Sequence, residues 1–125
     1  MKTAHIQRRA GFTLVEIMIV VAIIGLLAAI AIPNFLKARA TSQQDACIHN
    51  LRQIDNAINE WALENGQSNG DPIGGLSTVS AYLRLNSNSS IPGCPAGGTY
   101  SVDRVGDIPQ VTCSLSTESP PHVLQ

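Results

Sequence analysis

The sequence has 125 residues, 44% of them apolar and 14% charged, and a formal net charge of −1. That length holds one small domain, and the charge supplies no basic stripe for a nucleic-acid backbone, so no DNA or RNA partner is expected. The near-neutral total hides an asymmetry: Lys2, Arg8 and Arg9 precede Phe12, whereas all nine acidic residues follow it.

From Leu14 to Ile32 the chain reads LVEIMIVVAIIGLLAAIAI, interrupted by one ionisable residue, Glu16. As a helix this run is about 28 Å long at 1.5 Å per residue, close to the ~30 Å hydrocarbon thickness of a bilayer. The basic cluster ahead of it predicts an N-terminus in the cytoplasm and the bulk of the chain outside. Three readings fit such a run: a single-pass anchor, a secretory signal cut after Ala29-Ile30-Ala31, or a segment cut at its front and retained.

Glu16 separates these readings. A carboxylate in an apolar helix costs a few kcal/mol on insertion scales, and neither an anchor nor a signal peptide needs it. A packed bundle of copies does, because a free amine made by cutting before Phe12 would neutralise a neighbour's Glu16 in apolar surroundings. The run Gly11-Phe12-Thr13-Leu14-Val15-Glu16, continued by IMIVVAIIGLLAAIAIPNFLKARA, resembles the N-terminal signature of type IV prepilins and pseudopilins, without a gap from Gly11 to Ala40.

The resemblance implies a role for each matching residue. Gly11 is the last residue of a leader spanning 1–11 and is recognised by a prepilin peptidase. Phe12 becomes the N-methylated first residue, and Glu16 sets subunit register. Without the leader the product is mildly acidic. The implied partners are further copies of the chain in a helical homopolymer, the peptidase, a pilus or secretion assembly platform, and membrane lipid before assembly. The implied location is a single-pass inner-membrane protein with its globular part outside, and then a filament.

Pro33 has no N–H for the carbonyl of Ala29, and Gly25 is a weak helix residue, so residues 25–33 are the expected joint of the 12–33 helix. Gly25 and Ala29 are also spaced for close helix–helix approach. Helix is expected to resume over 34–66. There Cys47, Leu51, Ile54, Ile58 and Trp61 follow the 4, 3, 4, 3 spacing of one buried face. Asp45, Gln53, Asn56 and Asn59 lie on the other side, and Gly66 stands just past the end.

Residues 67–116 are expected to form a small globular part. Gly66 to Gly75 reads as a loop, LSTVSAYLRL as a short helix or strand with helix favoured, and Asn86 to Ser90 as a second loop. Strands are predicted at 98–105 and 109–115, joined by a turn at Gly106-Asp107, with Tyr100 and Val102 alternating inward and then Val111, Cys113 and Leu115. The tail, 117–125, reads as unstructured.

Three cysteines, Cys47, Cys94 and Cys113, leave one thiol over after any internal pair. Outside the cytoplasm a disulfide is allowed, and Cys94–Cys113 closes a loop of roughly twenty residues worth about 3 kcal/mol by chain entropy. The resemblance favours that pair, since pilins often carry a disulfide near the C-terminus. Cys47 remains an alternative partner, because Cys47 and Cys113 both occupy core-facing positions.

No zinc, haem, nucleophile-elbow or phosphate-loop motif is present, and nothing argues for an enzyme. His5, His49 and His122 fall in the leader, on the polar helix side and in the tail, so no metal site is expected. Asp103 and Asp107 flank a turn that would at most take calcium, and Asn88-Ser89-Ser90 is a weak glycosylation match. The expected fold is α+β: a pilin lollipop, its long N-terminal helix packed through its second half on a small antiparallel sheet. The expected function is a structural type IV pilus subunit. A type II secretion pseudopilin is the alternative, and a membrane-anchored or secreted binding domain a distant third.

Overall fold

The computed structural model describes residues 11–85 and 90–124. The leader up to Ala10, with Lys2, His5, Arg8 and Arg9, lies outside the described residues, as do most of the second polar loop and Asn88-Ser89 of the glycosylation match. The chain divides into two compact units, Met1–Leu36 and Lys37–Gln125.

A single α-helix, α1, runs from Leu14 to Asn65 and carries Pro33 within it. In the first unit it is bare: the large apolar side chains from Phe12 to Leu36 are each 47–81% exposed. In the second unit the same helix buries a stripe of Cys47, Leu51, Ile54, Ala57, Ile58 and Ala62, all at 6% exposure or less. The expected face is therefore present, with Trp61 half-buried at its edge and two alanines letting the helix backbone approach its cover.

The helix stops where glycine permits it. Gly66 has φ 64 and the Gln67 N–H reaches back to the Ala62 carbonyl at 2.9 Å, the pattern of a left-handed C-terminal cap. The globular part follows. Ile73, Val79, Leu83, Val105 and Val111 complete the core with the helix stripe.

Two strands, β1 (Tyr100–Val102) and β2 (Val111–Cys113), pair antiparallel with Tyr100 opposite Cys113 and Val102 opposite Val111. The predicted alternation holds, but both strands are shorter than expected. The ladder continues by single bonds, Asp103 N–H to Gln110 O at 3.1 Å and Ser114 N–H to Thr99 O at 2.9 Å. Beyond that, residues 103–105 turn their edge to the loop at 70–73. Gly70 N–H donates to Val105 O, Val105 N–H to Asp71 O, and Ile73 N–H to Asp103 O. The expected loop thus serves as a third extended segment, with its isolated bridge between Pro72 and Arg104.

The short helix expected in LSTVSAYLRL is reduced to turns and a 3-10 helix at Ser80–Tyr82, ended by extended backbone at Leu83. Val79 and Leu83 still land in the core. The tail has no regular structure but is not loose. His122 N–H donates to Leu115 O at 3.2 Å, Gln44 Nε2 donates to Pro121 O at 2.7 Å, and His122 is only 4% exposed.

Candidate functional site

Gly11, Phe12 and Thr13 precede the helix as exposed, irregular backbone, and Phe12 is 81% exposed. Thr13 caps the helix: its Oγ1 accepts the Glu16 N–H at 3.2 Å, and its carbonyl accepts the Ile17 N–H at 3.3 Å. Thr13-Leu14-Val15-Glu16 has the Thr-x-x-Glu spacing of a capping box, which overlaps the Gly11-to-Glu16 processing motif. Glu16 is the acidic residue of the first turn, where the helix dipole favours negative charge by about 0.3–1 kcal/mol. It is also the only ionisable side chain between Phe12 and Leu36.

Two glycines in this region stand clear of crowding among the described residues. A Cβ added at Gly11 or at Gly25 would meet nothing within 4 Å among the described residues, and neither has a left-handed φ. The helix from Leu14 is long and apolar enough to cross a membrane, and α1 passes through Gly25 and Pro33 as assigned helix.

The second feature is sulfur-rich. Cys47 on α1, Cys94 in the segment before β1, Cys113 at the end of β2 and His122 in the tail bring their ligating atoms within 4.8 Å of one another. All four are buried, and the three sulfurs stand side by side unbonded. Burial pushes the Cys47 thiol up to about 12, opposed by a Tyr100 hydroxyl that donates to it at 3.5 Å. Cys94 is held below the usual thiol range: burial acts to raise it, but the backbone N–H groups of Ala96 and Gly98 and the other two thiols outweigh that. Tyr100 is raised by burial and by Cys47, and its oxygen also accepts from Asn50 Nδ2 at 3.2 Å.

The sequence-predicted disulfide residues are thus brought together, with more than one pairing within reach. His122 joins them from a tail that composition had read as unstructured. Asp103 and Asp107 are both exposed, and among the described residues no group of three or more acidic, His or Cys ligands forms around them.

Residues 6–32 match the prokaryotic N-terminal methylation motif. The chain is 60% identical over 57 residues to the type IV major pilin protein of Myxococcus xanthus, a match covering 46% of this chain and 26% of that protein. It is 47% identical over 68 residues to a type IV major fimbrial protein of Dichelobacter nodosus, 54% of this chain and 43% of that one. It is 31% identical over 61 residues to the type II secretion system core protein G of Aeromonas hydrophila, 49% of this chain and 43% of that one. The matched segment spans less than half the length of each of these relatives. No solved structure matches.

Proposed function

We propose that this chain, which carries the N-terminal methylation motif and has type IV pilins and type II secretion proteins among its relatives, is a structural subunit of a type IV pilus filament. The observation that carries this reading is the helix half from Leu14 to Leu36: apolar, exposed among the described residues, and preceded directly by Gly11-Phe12. Apolar surface of that extent calls for lipid or for other copies.

In this reading the subunit waits in the inner membrane with its N-terminus inside. A prepilin peptidase cuts between Gly11 and Phe12, and the smallness of Gly11 serves that enzyme. The leader takes Lys2, Arg8 and Arg9 with it. The new amine of Phe12 is N-methylated and sets register by neutralising Glu16 of a neighbouring copy inside the apolar bundle. An assembly platform moves the helix from lipid into the filament, where Gly25 admits a close neighbour and the stretch to Pro33 yields.

Sequencing the mature N-terminus by mass spectrometry should return methylated Phe12. Ile32 as first residue would mean a secretory signal, and Met1 a plain anchor. Glu16→Ala should insert normally but yield few or no filaments, read by shearing and electron microscopy; normal filaments would remove its proposed role. The type II secretion relatives support a second reading, a pseudopilin. Its mark is a location confined to short envelope fibres rather than long surface filaments.

A further inference from the structure

We infer that Cys47, Cys94, Cys113 and His122 form a closed structural site for a soft divalent cation, zinc first. One disulfide accounts for two of these groups and leaves a buried thiol and a buried imidazole in the same small volume. A tetrahedral ion accounts for all four. Zinc–sulfur bonds of about 2.3 Å put ligand sulfurs roughly 3.8 Å apart, and the four donor atoms here lie within 4.8 Å of one another, with Cys94 Sγ 3.4 Å from His122 Nδ1.

The surroundings have the character of a metal–thiolate shell. The Tyr100 hydroxyl donates to Cys47 Sγ at 3.5 Å and is itself fixed by Asn50, the kind of outer support that orients metal ligands. Space is reserved for the sulfurs: a Cβ at Gly98 would sit 2.7 Å from Cys113 Sγ, so only glycine fits there. The four ligands come from the helix, the segment before β1, the end of β2 and the tail, so one ion would tie together four parts of the globular unit.

Three thiols and an imidazole select against calcium and magnesium, which take oxygen ligands, and favour zinc. Four protein ligands leave no open position, so the site is structural rather than catalytic. Loading releases the three thiol protons while the imidazole binds neutral, and affinity therefore falls as pH falls. This inference does not rest on the pilus reading.

The full-length chain, extracted from membranes in detergent without reductant, is assayed for zinc by plasma mass spectrometry and by zinc X-ray absorption. The expected result is one zinc per chain, with three sulfurs at about 2.3 Å and one nitrogen at about 2.0–2.1 Å. Cys94→Ser and His122→Ala should lose the metal and melt at lower temperature. His122→Cys should keep zinc with a four-sulfur shell, which separates ligation from a general folding defect. Two results overturn the proposal: a zinc-free chain whose non-reducing peptide map shows a disulfide among the three cysteines, or zinc bound through oxygen and unaffected by Cys94→Ser.

Discussion

The two halves of α1 share one backbone geometry and differ in everything that surrounds it. Over Leu14–Leu36 the apolar side chains run all the way round and stand exposed. Over Cys47–Ala62 they form a single stripe and are buried to 6% exposure or less. The difference lies in where the packing partner is. The second half finds its cover in the same chain, so it needs only one apolar face. The first half is uncovered among the described residues, and an all-round apolar surface suits lipid or a ring of identical neighbours.

Paired truncations should break this comparison if it is wrong. Leu51→Ala, in the fully buried stripe, should cost the globular unit about 2–5 kcal/mol, measured by chemical denaturation in detergent. Leu26→Ala, 67% exposed, should leave that curve unchanged and alter only filament yield. Equal effects on unfolding would mean that the bare half packs on its own chain.

A smaller effect is expected at Gln110, which clamps the hairpin turn to the helix. Its Nε2 donates to Asp55 Oδ1 and Asn59 Oδ1, both at 3.1 Å, and its Oε1 accepts the Gly106 N–H at 3.0 Å. Gln110→Ala should cost about 1–3 kcal/mol, because it strands polar partners in a partly buried network. The same denaturation series reads it, and an unchanged midpoint would show that water replaces the clamp without loss. The smallest effect belongs to the bare half: Thr13→Ala removes a cap worth about 1 kcal/mol. Faster amide exchange at Leu14 to Glu16 should report it, with the globular unit unaffected.

The features legible in the sequence were those set by local periodicity. The 4, 3, 4, 3 stripe from Cys47 to Trp61, the stop at Gly66 and the inward alternation of Val111 and Cys113 follow from helix and strand geometry alone. Three things escaped because they depend on pairings distant in the chain. The Gly- and Asn-rich loop gave every sign of being solvated, yet Gly70, Asp71 and Ile73 pair with residues 103–105 and so shorten the hairpin. The Pro-containing tail read as loose, yet Gln44 and Leu115 hold it and bury His122. The fourth member of the sulfur cluster was thereby hidden from any motif search, since no fixed spacing links Cys47 to His122. Thr13 is a different case. Its capping signal was present in four consecutive residues and was masked by the processing motif that shares them.

The bare half of the helix also fixes how a subunit moves between its two proposed environments. Each large apolar side chain transferred from lipid to water costs about 1.5–3 kcal/mol, and those from Phe12 to Leu36 together amount to tens of kcal/mol. Thermal motion does not supply that on any cellular timescale, so no pool of free subunits in water links membrane to filament. In the proposed filament the helix would pass from lipid directly against its neighbours, without crossing water. The return journey meets the same barrier, so a filament of such chains would not shed subunits into solution, however dilute.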